Sequence, residues 1–315
     1  MRTRRIAAEF EVHDERFAQV GGDDHLEVLY DGGRWLEGPV YSPAWRSVLF
    51  SDIPNDRVLR WDETTGRTGV FTAPAGFANG RTLDRQGRVI TCSQGARAVV
   101  RTEVDGSTTV LADRWNGKRL NSPNDVVVRA DGTIWFTDPS YGIDSDYEGH
   151  RAASETDGCH VYRIRDGVVD RVADDFDRPN GLAFNADEDQ LHIVDTRRHH
   201  VRRFDVSPDG ELSGGDVLAT CEAPNAFDGL RVDHLGRLWV AAHDGLHCFD
   251  PDGTLLGKLL VPEVCANLAF GGQRGTLLFI TASTTLYSIM VNFTEAVRPP
   301  AKITRDPRTP TADRR

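Results

Sequence analysis

Short runs in which β-branched, leucine or aromatic side chains alternate with polar ones recur along most of the chain, bounded by Asp, Asn, Gly and Pro. A period of two is that of a strand, and the turn residues between runs mark hairpins. SPNDVVVRADGTIWFTD (122–138), RPNGLAFNADEDQLHIVD (178–195) and FDGLRVDHLGRLWVAAH (227–243) share one plan: Asn or Asp beside a turn residue, a strand, a polar turn, and a second strand. LEGPVYSPAWRSVLFSD (36–52), FANGRTLDRQGRVITC (77–92) and CANLAFGGQRGTLLFIT (265–281) are weaker copies, six in all. With Glu37, Asn79, Asn124, Asn180, Asp228 and Asn267 as equivalent positions, the spacings are 42, 45, 56, 48 and 39 residues, the repeat length of four-stranded propeller blades.

A third strand follows each pair, as in RVLRWDE, AVVRTEV, HVYRIRD, HVRRFDV, LHCFDPD and TLYSIMV. A fourth precedes the next copy in TGVFTA, TTVLAD, VVDRVADD, DVLATC and LLGKLLV, but the last copy has none because the chain turns polar after Asn292. HLEVLYDG (25–32) has the missing strand's character. It is expected to close the ring on the last blade, since an open ring leaves unpaired sheet edges. The prediction is an all-β, six-bladed β-propeller with four-stranded blades, one domain over 1–293 and a flexible tail over 294–315. A β-sandwich or a pair of small β domains does not explain six copies in step, and an α/β-hydrolase lacks its GxSxG elbow here. The stretch between Asp138 and His160 is a long loop over one mouth, and long loops in compact domains are usually functional or disordered.

A net charge of −11 with scattered basic residues argues against nucleic-acid binding. No run has the roughly 18 apolar residues a membrane span needs, and the N-terminal apolar stretch is broken by Glu9, Glu11 and Asp14, so a soluble, cytoplasmic protein is expected. The five cysteines, Cys92, Cys159, Cys221, Cys248 and Cys265, form no CxxC pair, which suggests reduced packing residues rather than disulfides or a zinc cage.

In a propeller the first strand of each blade lines the central channel, so Glu37, Asn124, Asn180 and Asp228 should converge at one mouth. All four offer oxygen, and such a hard donor set with two carboxylates suits one divalent metal ion, calcium first, with magnesium, manganese or zinc as alternatives. Asn180-Gly181 and Asp228-Gly229 are also ordinary turn dipeptides, but Glu37-Gly38-Pro39 and Pro123-Asn124-Asp125 are not standard hairpin turns, and the four recur in register. Asn79 and Asn267 hold the same position in the other two copies, as pocket-lining hydrogen-bonding groups or as turn residues. Asp138 is a turn residue or a helper of a second ion. His199, His200 and His243 read as solvated or packed, with His243 a fallback proton shuttle.

LEGPVY, LNSPNDVVV with GTIWFTDPSYG, RPNGLAF, FDGLRVD with GRLWVA, and FDPDGTLLGKLLVPE resemble the gluconolactonase and senescence-marker-protein (regucalcin) family of lactone hydrolases, over roughly residues 26 to 290. The resemblance implies a six-bladed propeller with a catalytic divalent metal bound directly by Glu37, Asn180 and Asp228. Asn124 matches a position that binds metal in some relatives and touches substrate in others. One departure stands out: Ser122 occupies the place of the Arg that precedes Asn-Asp in regucalcin, so sugar specificity does not carry over from that branch. The expected reaction is hydrolysis of a small lactone or ester, with the metal polarising the carbonyl and Asp228 as general base toward water. The alternative is a calcium-binding propeller acting as a binding module without turnover.

Overall fold

The computed structural model describes residues 4–297, nearly all of them in strands, turns and short connections. Six antiparallel sheets of four or five strands follow one another in chain order, with a two-stranded ribbon, Arg114–Trp115 and Lys118–Arg119, between the second and third. Blade one is Leu36–Ser42, Ser47–Asp52, Arg57–Asp62 and Arg67–Thr72. Blade two is Ala78–Leu83, Val89–Ser93, Ala98–Thr102 and Thr108–Ala112. Blade three is Val126–Val128, Ile134–Asp138, Cys159–Arg165 and Val168–Phe176. Blade four is Pro179–Phe184, Gln190–Asp195, His200–Val206 and Leu212–Thr220. Blade five is Phe227–Val232, Leu238–Ala242, Gly245–Phe249 and Leu255–Leu260. Blade six is Cys265–Gly271, Leu277–Ala282 and Thr285–Met290, completed by His25–Asp31. The chain is a six-bladed β-propeller, closed as the sequence pattern requires.

The core is divided into six clusters, one at each interface between neighbouring blades. Between blades six and one, Leu36, Tyr41 and Phe50 meet Phe279 and Leu286, with the Tyr41 and Phe279 rings stacked at 5.9 Å. Between two and three, Ile90 and Cys92 meet Val126 and Phe136. Each blade is thus covered on both faces, and inner strands such as Leu36–Ser42 are buried throughout rather than alternating. Each large apolar side chain so covered contributes about 1.5–3 kcal/mol.

Closure rests on antiparallel pairing of Thr285–Met290 with His25–Asp31, Leu286 opposite Tyr30 and Ser288 opposite Glu27. The N-terminal segment does more than close the ring. Arg4–Ala7 pairs outside His25–Asp31, and Glu9–Val12 then steps onto the outer edge of blade five, from Glu9 opposite Leu260 to Val12 opposite Gly257. Phe17, in the following 3-10 turn, is buried 6.1 Å from the Trp239 ring. The segment therefore staples blade five to blade six. At the other end, Phe293 stacks on Trp239 with centroids 4.6 Å apart, and the amide of Ala296 donates to the Val232 carbonyl at 2.9 Å. Of the expected tail, 294–297 thus lie against blade five, and 298–315 fall outside the described residues. All five cysteines are free thiols, three of them buried. Among the described residues no helix is long and apolar enough to cross a membrane.

Deleting residues 1–32 removes the closing strand and both added edge strands, and should give insoluble or non-cooperatively unfolding protein. Gel filtration and thermal unfolding check this, and a monomeric product with an unchanged melting temperature contradicts the closure.

Candidate active site at one mouth of the channel

In five blades one of the six polar residues is second or third in the inner strand, and the hairpin register slips just there: Glu37/Val40, Ala78/Arg81, Pro179/Leu182, Phe227/Leu230 and Cys265/Asn267; in blade three Asn124 lies two residues before the strand Val126–Val128. A bulge bends the strand and re-aims its side chain. Glu37, Asn79, Asn124, Asn180 and Asn267 are buried, and Asp228 is half-buried.

The glycines beside these residues are not hairpin turns. A Cβ on Gly38, where φ is +49°, would lie 2.1 Å from the Asn79 carbonyl oxygen; on Gly80 it would lie 2.4 Å from that of Asn124. On Gly181 it would lie 2.6 Å from the Asp228 carbonyl oxygen, and on Gly229 2.2 Å from the Asn267 amide. Glycine here lets each inner strand touch the next blade's polar residue, which draws the ring together. The amide of Gly80 also donates to the Asn124 carbonyl at 2.8 Å.

A second device fixes where the strands enter. Asp138, at the end of blade three's second strand, accepts from the amides of Asn121 at 2.7 Å and Ser122 at 2.8 Å. Asp195 does the same in blade four for Asp177 at 2.8 Å and Arg178 at 3.1 Å. Asp52 takes the amide of Arg34 at 3.0 Å. Each clamps the backbone two or three residues before Asn124, Asn180 or Glu37, and this backbone clamp is the role of Asp138 in the structure.

Glu37 accepts from the Gly38 amide at 2.7 Å and from the Asn267 side chain at 3.1 Å. Burial still pushes its carboxyl up to about 7, with the charges of Asp125 and Glu148 adding to the rise. Asp228 is raised well above the ordinary carboxylate range, first by burial, then by Glu37 and Glu148. Carboxylates held in such surroundings take up either a proton or a cation. Among the described residues no three His, Cys, Asp or Glu gather into a metal-holding cluster; the oxygen donors that the ring offers an ion are the carboxylates of Glu37 and Asp228 and the side-chain amides of Asn124 and Asn180. That donor set fits a hard divalent cation.

The long loop after Asp138 folds across this mouth. Ser122 donates its hydroxyl to the Pro139 carbonyl at 2.6 Å and accepts from the Gly142 amide at 3.0 Å, pinning the start of the loop. Gly149 packs against the Gly142 carbonyl, where a Cβ would lie 2.1 Å away, and the His150 ring meets Phe77 at 5.1 Å. The fold-back brings Tyr141 beside Thr196 and Asn180. It also brings in Glu148, half-buried and pushed up to about 7 by burial, then by Asp144. Loop length marks this segment in the sequence, but nothing there singles out Glu148.

His199 donates from Nδ1 to the Asn225 carbonyl at 2.7 Å, and His243 is exposed. A separate cavity of about 90 Å³ occupies the opposite end of the channel, lined in part by Arg81, Arg231 and Glu295. It touches none of the six ring residues.

Fold and side chains together define a six-bladed propeller with oxygen donors ringing one mouth of its channel. Residues 35–284 match the SMP-30/gluconolactonase/LRE-like region, and the chain belongs to that family. It is 30% identical over 284 residues to the gluconolactonase of Zymomonas mobilis, covering 82% of this chain and 79% of that one. The pentonolactonase of Haloferax volcanii is 29% identical over 258 residues, 78% of this chain and 81% of its own length. The solved gluconolactonase of Xanthomonas campestris superposes with a TM-score of 0.86 at 36% identity, over 92% of this chain and 99% of that one. The chain is a lactonase, a carboxylic ester hydrolase of the gluconolactonase kind.

Gly181→Ala tests the ring contacts, because its Cβ must displace backbone atoms of Asp228 and Gly229. It should cost about 1–3 kcal/mol in denaturant unfolding, the scale of overpacking, and lower activity. An unchanged unfolding midpoint removes the glycine contact as a constraint.

Proposed function

We propose that this lactonase opens a sugar lactone of the aldonolactone class with one divalent cation, calcium by preference, held by Glu37, Asn124, Asn180 and Asp228. One observation carries the reading: two carboxylates converge at the channel mouth, each raised by burial and by other acids, with amide groups as their hydrogen-bonding neighbours. The relatives' activity and the oxygen-only donor set support it. A cation bound there supplies Lewis-acid polarisation of the acyl oxygen.

The chain's own residues do the rest. Glu37, held by Gly38 and Asn267, is a fixed anionic ligand. Asp228, the less buried residue of the two ring acids, takes the proton from the attacking water. That proton passes to the ring oxygen as the acyl C–O bond breaks, leaving the open hydroxy acid. Asn124 and Asn79 offer amides to substrate hydroxyls. Asn267 keeps one Nδ2 hydrogen on Glu37 and has the other for substrate. Glu148 and Tyr141, from the loop, close the pocket from above.

Two variants separate binding from chemistry. Glu37→Gln should weaken the metal, and added metal should largely restore activity. Asp228→Asn should also weaken it, yet at saturating metal kcat should stay about 10²-fold or more below wild type, the scale of a lost general base. Activity against metal concentration is the measurement, and equal recovery of both variants makes Asp228 a ligand only.

The raised carboxyls also set a pH dependence. Glu37 binds its proton more tightly in the metal-free fold, near 7, than at its ordinary 4.5, so that fold loses stability as pH rises through this window. A cation replaces the proton, so its stabilising effect should grow in the same direction. Melting temperatures with and without calcium should diverge steadily from about pH 5 to about pH 8. A constant difference shows that the cation displaces no proton.

A further inference from the structure

Thr196 follows blade four's second strand and was not singled out by any sequence pattern. It faces Asn180 across the hairpin, where Pro179 pairs with Asp195. Its amide donates to the Arg178 carbonyl at 3.1 Å, and the neighbouring Asp195 clamps the amides of Asp177 and Arg178. The Thr196 backbone is therefore fixed against the strand that carries Asn180.

The hydroxyl of Thr196 has a single hydrogen. Its oxygen lies 2.8 Å from the carbonyl of Phe227, the residue before Asp228. A carbonyl only accepts, so that hydrogen is committed to blade five. Toward Asn180, 2.9 Å away, Thr196 can then only accept, and the partner must be Nδ2. The Tyr141 hydroxyl lies against the same two side chains and crowds the amide from the loop side. Nδ2 is thereby committed to Thr196, with its second hydrogen toward the Asp228 carboxylate, which leaves Oδ1 as the atom of this amide able to meet a cation beside Asp228.

We propose that Thr196 is the positioning residue of the cation site: it sets the amide orientation of Asn180 and ties that side chain to the backbone beside Asp228. The inference rests on the metal reading above and adds to it the group that makes Asn180 an oxygen donor. Without the hydroxyl, the amide is free to turn its NH2 toward the cation, which repels it.

The test compares Thr196→Val, similar in shape but without the hydroxyl, with Thr196→Ser, which keeps it, in the full-length protein. Calcium alone is the probe, followed by calorimetric titration. Thr196→Val should bind calcium about 10–100-fold more weakly, the usual range for a lost partner of a ligand. Thr196→Ser should stay within about threefold of wild type, and saturating calcium should restore most of the turnover of Thr196→Val. Wild-type affinity in Thr196→Val overturns this inference alone. Equal weakening in both variants, with matching losses of metal-free melting temperature, assigns Thr196 to packing and overturns it as well. A wild-type protein that binds no divalent cation removes the metal reading together with the inference.

Discussion

Everything in this molecule depends on bringing six inner strands into backbone contact around one axis. A ring of blades has no tolerance for a gap, because a missing pairing exposes a sheet edge and loosens every interface around it. The pairing of His25–Asp31 with Thr285–Met290 supplies the last contact, with only one strand of blade six coming from the far end of the chain. At the axis, Gly38, Gly80, Gly181 and Gly229 let four of the strands lie against the next blade's polar residue. The amide of Asn267 bonded to Glu37 spans the junction of blades six and one, where glycine is replaced by Leu268.

The same convergence creates the chemistry. Packing six strand entries onto one point forces their first side chains together, and two of these are acids. Hydrogen bonds from Gly38 and Asn267 offset only part of the cost of burying Glu37. The site is therefore strained electrostatically until a positive charge, as a proton or a cation, enters it. This is the condition in which a hard cation is held tightly and in which its affinity follows pH.

Deeper in the channel the chain provides its own cations. Arg81, fully buried, donates to the Gly38 carbonyl at 2.7 Å and the Ser51 hydroxyl at 2.6 Å, and burial lowers its pKa to about 10. Asp125 stands where other blades have glycine after the ring residue, with its carboxylate 3.5 Å from Arg231. Arg231 in turn lies 3.7 Å from Glu295 of the C-terminal segment, which is pushed up to about 7 by burial. The axis thus runs from the acids Glu37 and Asp228 at one mouth to guanidinium groups beneath it. The opposite end is partly covered by the segment that carries Glu295.

The blades and the ring were legible because the information is local and repeated. Alternating strands, hairpin turns and a polar residue at a fixed place recur six times, and register across copies separated Asn180 and Asp228 from ordinary turn dipeptides. The hairpin-turn reading was removed only by the tertiary structure: the glycines beside them contact the neighbouring blade instead of turning a hairpin. Asp138 showed the same limit, since only the fold brings its carboxylate to the amides of Asn121 and Ser122. Glu148, Thr196, Arg81 and the edge strands Arg4–Ala7 and Glu9–Val12 left no periodic trace. A loop has no repeat, a positioning hydroxyl looks like any other threonine, and an edge strand announces its pairing only when its partner is in place. The sequence by itself determined which residues reach the channel mouth, because a strand's period and a blade's repeat are properties of the chain. Which of them face one another, and with what charge, was decided by the closing of the ring, because those contacts join residues up to 230 positions apart.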